Sequence, residues 1–247
     1  MALASVAAAG SDTRLADAAK KQDVAAVRAL LKEHADVSAP QGDGATALHW
    51  AAHWDDRDTA ALLIRAGAKV NATTDLGITP LSLACLNGSA PMVETLLNAG
   101  ANPNLASVVG ETPLMVAART GNVSAAELLV GRGADIEARD TVGGQTPLMR
   151  AVAENHTGVA RLLVEKGAKV DARSKLGFTA LLFTAQQGNL DSARLLVGAG
   201  ADVNDTGPDG IAGDTNARLP LKPNTAAGVL LVTIDSMPES EIGRAHV

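Results

Sequence analysis

The 247 residues predict an all-α solenoid of stacked helix-turn-helix units. Two markers carry this reading. A short word, Thr-(Pro/Ala)-Leu, begins at Thr46, Thr79, Thr112, Thr146 and Thr179, in steps of 33, 33, 34 and 33. A Gly-Ala pair keeps the same beat at Gly67-Ala68, Gly100-Ala101, Gly133-Ala134, Gly167-Ala168 and Gly200-Ala201. Two markers in phase over most of a chain define an internal repeat, and a repeat outranks local propensity as a guide to fold. Aromatic residues are only 2%, with no Tyr, which suits helices stacked through small and aliphatic contacts.

The best-formed unit, 110–138, shows how each element arises. Pro113 stands where a first helix begins, so its missing N–H costs nothing. Thr112, just before it, is placed to cap that helix. Ala117 and Ala118 are small and let neighbouring helices approach closely. Gly121 ends the first helix. Val123, Ala126, Leu128 and Leu129 are expected to form the buried stripe of a second, antiparallel helix. Gly133 ends that helix, and a turn leads to the next unit. The period and the Thr-Pro-Leu core resemble the ankyrin repeat. The resemblance implies an ankyrin-repeat solenoid with short β-like hairpin tips. It also implies a concave face, made by the tips and the exposed side of the first helices, that binds another protein.

Six repeats are expected, over 12–40, 41–73, 74–106, 107–139, 140–173 and 174–206. In the first, Thr13 takes the Thr position and His34 the Gly position, and Lys20, Lys21, Gln22 and Asp23 give the polar character of an end cap. Beyond 206 the phase fails. Residues 207–226, with Gly207-Pro208-Asp209-Gly210, Pro220 and Pro223, read as an inserted loop. Residues 227–241 read as the first helix of an incomplete seventh repeat. Residues 242–247 look like a translated sequencing adapter, which would place a cut near Glu241. Residues 1–11 are apolar around Ala7-Ala8-Ala9 and resemble the end of a secretory signal peptide without its basic start. A secreted or periplasmic chain is the corresponding expectation.

Composition and motifs narrow the chemistry. The net charge is −6 with no basic block, so nucleic acid is a poor partner. No run reaches membrane-spanning length. Cys85 is the single cysteine, which leaves no disulfide framework and reads as a small buried hydrophobe. His49 and His53 share a helix face at the spacing of zinc proteases, but Trp50 stands where the Glu is needed. Asp202-x-Asn204-x-Thr206-Gly207 imitates the start of a calcium loop, but Gly213 stands in place of the closing Glu. Phosphate loops, nucleophile elbows and paired acids are absent from the sequence. No metal, cofactor or catalytic residue is expected.

The informative residues are those the repeat does not dictate. Carrying the ankyrin face onto this chain implies a partner-binding set. The tips contribute Leu76, Ile78, Val109, Glu111, Gln145, Leu176 and Phe178. The first helices contribute His53, Trp54, Leu86, Asn87, Arg119, Glu154 and Gln186. Apolar residues at turns, and a Trp at a helix end, suggest a contact surface. The other reading is that the tips pack on one another and bury these side chains. Trp50 and Arg150 share a further semi-exposed position that fits either reading. At the level of function, a non-catalytic binding scaffold stands against a regulatory or targeting segment of a larger enzyme and against a structural spacer.

Overall fold

A computed structural model describes residues 12–205. The leader, the inserted loop, the displaced helix and the adapter-like end all lie outside the described residues, as does most of the calcium-like motif. The chain divides into two compact units, with the division after Ser107.

The first unit holds α1 (Arg14–Lys20), α2 (Val24–Lys32), α3 (Ala47–His53), α4 (Arg57–Arg65), α5 (Pro80–Leu86) and α6 (Ala90–Asn98). The second holds α7 (Pro113–Thr120), α8 (Val123–Gly131), α9 (Pro147–Ala153), α10 (Thr157–Glu165), α11 (Ala180–Gln187) and α12 (Leu190–Gly198). Each odd-numbered helix packs on the even-numbered helix that follows it. Within the first unit α1, α3 and α5 stack in sequence, and α4 touches α6. Within the second, α7, α9 and α11 stack, and α10 packs against both α8 and α12. The described residues contain no strand, so this is an all-α repeat fold.

The predicted start and stop signals work as local chemistry. Thr79, Thr112 and Thr146 are extended N-caps whose hydroxyls accept the N–H three residues on, from Ser82, Met115 and Met149. Pro80, Pro113 and Pro147 each open a helix. Thr46 instead forms a capping box in which His49 Nδ1 lies 3.1 Å from the Thr46 N–H. Thr179 makes no such bond, and its buried hydroxyl has no partner.

The cores are small-residue layers. Ala117 and Ala118 are fully buried, as expected, as are Ala51, Ala52, Ala84 and Ala151. Cys85 is equally buried, and burial pushes its thiol up to about 12. One expectation needs correction. In α8 the buried stripe is Ala125, Ala126 and Leu129, while Val123 is exposed and Leu128 only half-buried. Helix phase decides this. The sequence 123–130 is apolar nearly all round, so periodicity does not single out the face turned to α7 and α10.

The turns repeat one device. Asp36, Asn102, Asp135 and Asp202 each accept, through Oδ1, the N–H two residues ahead at 2.9 Å. Asp202, the first residue of the calcium-like motif, is therefore one member of a series of Asx turns.

Two helix-ending glycines differ in a way that makes a test. Gly121 and Gly188 are both left-handed, at φ 76° and 72°. A Cβ on Gly188 would meet open space, whereas one on Gly121 would lie 2.5 Å from His156 Nδ1. Gly188→Ala is expected to cost about 1 kcal/mol, the left-handed penalty alone. Gly121→Ala is expected to cost about 1 kcal/mol more, because the His156 ring must give way. Urea denaturation of the two variants side by side measures the difference, and equal losses would mean that His156 yields freely.

Candidate protein-interaction face

Four of the hairpin tips close on themselves. Gln41 N–H donates to Ala45 O at 2.8 Å, Thr74 N–H to Ile78 O at 3.0 Å, Asp140 N–H to Gln145 O at 3.2 Å and Ser174 N–H to Phe178 O at 2.9 Å. Neighbouring tips are tied by single backbone bonds. In the first unit Asp75 N–H donates to Asp43 O at 2.9 Å. In the second, Thr141 N–H donates to Val109 O at 2.9 Å and Lys175 N–H to Gly143 O at 2.8 Å. The tips are β-like in this pairing, yet one bond per neighbour is too short a ladder to form a strand.

In the first unit the tips border an aromatic cluster. Trp50 Nε1 donates to Gln41 Oε1 at 2.7 Å, and Gln41 Nε2 donates to Asp17 Oδ1 at 2.6 Å. Lys20 Nζ sits 4.7 Å from the centre of the Trp50 ring, within cation–π range. His53 meets Trp50 and Trp54 edge-on, at 5.8 and 4.6 Å between ring centres. Trp54 Nε1 donates to Lys20 O at 3.1 Å, so this half-exposed ring also ties α3 to the end of α1. Asn87 does the same one repeat later, donating to Ala52 O at 3.1 Å and to His53 O. Helix ends leave carbonyls without an intrahelical partner, and here the next repeat supplies the donor. Leu76 and Leu86 are exposed, and Ile78 is half-buried. A cleft of about 480 Å³ opens between the tips and α3, lined by residues that include Asp43, Trp50, Asp75, Leu76, Ile78 and Leu83.

His49 also lines this cleft, with its side chain otherwise buried. Its Nε2 lies 3.0 Å from Ile78 O, a carbonyl, so Nε2 carries the proton. Nδ1 is then the acceptor from the Thr46 N–H. Burial pulls the imidazole below its ordinary pKa, outweighing the bond to Ile78 O. With both nitrogens engaged, His49 is a structural residue and not half of a metal pair with His53. Among the described residues no group of three or more metal-ligating side chains converges.

In the second unit the tips carry Val109, Val142 and Leu176, exposed by 45%, 71% and 71%. The bonds from Thr141 and Lys175 place these three tips next to one another, with Val108 also exposed beside the first. Val142 and Val108 escaped the sequence reading. The step of 34 adds one residue between Val142 and Thr146, so Val142 stands four residues before its Thr, whereas Val109 stands three before Thr112. Phe178 is half-buried, with its ring 5.8 Å from Phe183. Glu111 is paired with Arg119 at 3.3 Å. Glu154 and Gln186 are exposed at the ends of α9 and α11, and Gln145 is half-buried. His156 Nε2 donates to Arg119 O at 3.0 Å, a third case of a later repeat capping an earlier first helix.

Arg150, like Trp50, serves its own tip. It donates to Asp140 Oδ2 at 3.2 Å, and Asp140 also accepts the N–H groups of Val142, Gly143 and Gln145 at 3.0, 2.6 and 3.0 Å. Burial alone would push the Asp140 carboxyl up. The N–H groups of Gly143 and Gln145 and the Arg150 charge outweigh it and hold the group below its ordinary value.

A family model described as ankyrin repeats (3 copies) matches residues 6–74, 57–140 and 138–207. The chain belongs to the ankyrin-repeat family. No curated protein matches it. Ankyrin repeats are generally protein–protein interaction modules, and ankyrin-repeat proteins are typically non-catalytic. Among the described residues of this ankyrin-repeat chain, no helix is long and apolar enough to cross a membrane.

Proposed function

We propose that this ankyrin-repeat chain is a non-catalytic scaffold that binds another protein through the face made by its hairpin tips and the exposed ends of its first helices. The observation that carries the reading is the exposure of apolar side chains at successive tips. Leu76 is 64% exposed in the first unit, and Val109, Val142 and Leu176 stand out on three adjacent tips of the second. Turn positions normally carry polar residues, and grouped exposed apolar side chains mark contact surfaces. The tips are also well built to present them. Thr74 Oγ1 and Ser174 Oγ accept the N–H groups of Ile78 and Phe178 at 3.1 Å, and Asp140 organises the tip that bears Val142. A preorganised loop loses little freedom when a partner docks.

Site-specific photocrosslinking in the host cell tests this. A photoreactive residue placed at Leu76, Val142 or Leu176 is expected to give a discrete adduct with a second protein. The same residue at Arg65 or Glu165, exposed at the ends of α4 and α10, is expected to give none. Equal labelling at both sets, or adducts confined to α4 and α10, would move the binding surface elsewhere.

A further inference from the structure

We infer that the cleft of the first unit receives an extended segment of another protein in which a Lys or Arg flanks a leucine-sized apolar side chain. This rests on the face-binding reading above and adds to it the place and the partner's chemistry. The cleft, of about 480 Å³, has apolar walls from Trp50, Leu76, Ile78 and Leu83. That volume is ample for one large aliphatic side chain and the backbone on either side of it. Leu76 is 64% exposed at the rim, so part of the wall itself remains in contact with water until something covers it.

Charge selects the partner. Asp43 and Asp75 both line the cleft, and their tips are joined by the bond from Asp75 N–H to Asp43 O. Asp43 Oδ1 accepts the Ala45 N–H at 3.0 Å, and the Asp75 carboxylate takes part in none of the described hydrogen bonds. Neither acid is in any of the ion pairs among the described residues. The nearby cation, Lys20, lies over the Trp50 ring and is not a cleft wall. Two carboxylates without counter-charge beside an apolar pocket attract a basic segment and repel an acidic one. The pairing is peculiar to this place in the repeat. At the corresponding positions the later tips carry Val108 and Val109, Thr141 and Val142, and Lys175 and Leu176, with no carboxylate among them.

The chain's two tryptophans, Trp50 and Trp54, both belong to this cluster, so intrinsic fluorescence reports on the cleft alone. The full chain is titrated with a fluorescein-labelled peptide carrying Lys-Leu-Arg in a Gly-Ser host, read by anisotropy and by tryptophan emission. Saturable binding with a change in tryptophan emission is expected. Peptides carrying Glu-Leu-Glu or Lys-Ser-Arg are expected to bind about tenfold more weakly or worse. Asp75→Asn is expected to weaken the basic peptide several-fold and Asp75→Lys to abolish its binding. The helical circular dichroism of both variants should be intact, because that carboxylate holds no described hydrogen bond. No saturable binding of the basic peptide, equal binding of the acidic one, or indifference to Asp75→Lys would overturn the inference. So would a change in oligomeric state on Asp75→Lys, which would seat a second copy of this chain in the cleft. If tip crosslinks form but the basic peptide does not bind, the inference fails and the face-binding reading stands. If the tips give no crosslinks, the reading itself fails.

Discussion

Leu148→Ala is expected to lower the stability of the second unit by about 2–5 kcal/mol, the range for emptying a fully buried leucine site. Leu148 is 1% exposed in α9, and α9 packs against α7, α10 and α11. The helices around it are already closely packed, with Leu114, Met115 and Ala118 of α7 and Leu163 of α10 fully buried. Side chains held in a close-packed core relax only partly into the cavity left behind. In a repeat stack each unit is stabilised mainly by its neighbours, so the damage should spread to α7 and α11 and not stay in α9. Urea unfolding followed by circular dichroism gives the size of the loss, and amide exchange gives its extent. A loss below about 1 kcal/mol, or exchange raised in α9 alone, would show that the repeats of this unit are coupled weakly.

Asp140→Ala is expected to cost about 3 kcal/mol, although the residue lies in a loop. It would remove the acceptor for three backbone N–H groups and for Arg150 at once. Arg150 Nε is already buried without a partner, so the guanidinium has little else to turn to. The sign of the pH effect follows from the depressed carboxyl. A group whose pKa falls on folding stabilises fully above its unfolded value of about 4, and that stabilisation is lost as pH drops through the lower folded value. His49 acts in an adjoining window. Burial lowers its pKa from 6.5, so its contribution is complete above that pH and fades below it. Stability measured from pH 7 to pH 3 should therefore fall in the wild type. Asp140→Asn should flatten the acid limb below pH 4 and leave the decline that begins near 6.5. An unchanged acid limb in Asp140→Asn would show that other carboxylates govern it.

How much of the face was legible in the sequence depends on the distance over which each residue acts. The place of Leu76, Val109 and Leu176 before the Gly of a tip is a local pattern that the sequence displays, and the packing of the tips leaves all three exposed. Val142 fits the same pattern but was hidden by the extra residue of its turn. The repeat pattern turns Trp54 and Asn87 toward a partner, whereas the indole N–H of Trp54 and the amide N–H group of Asn87 donate to carbonyls of the preceding repeat. The carbonyls they reach, Lys20 O and Ala52 O, lie 34 and 35 residues away. Nothing in the neighbourhood of either side chain announces a partner one repeat back.

The same distinction runs through the whole molecule. The period, the helix pairs, the Thr-Pro starts and the Gly stops depend on backbone chemistry within a few residues, and they could be placed from composition and spacing. Which side of α8 is buried could not. Val123 and Leu128 are as apolar as Leu129, and only the positions of α7 and α10 choose among them. Trp50 and Arg150 occupy one repeat position, and their shared role was settled by what stands across the tip. Gln41 lies 9 residues before Trp50, and Asp140 lies 10 before Arg150. The meeting of Asp43 and Asp75 at one cleft belongs to the same class. Local bonds can be read along the chain, because their geometry is set by the peptide unit. Contacts between repeats depend on how one layer seats on the next, and that exists only after the layers have packed.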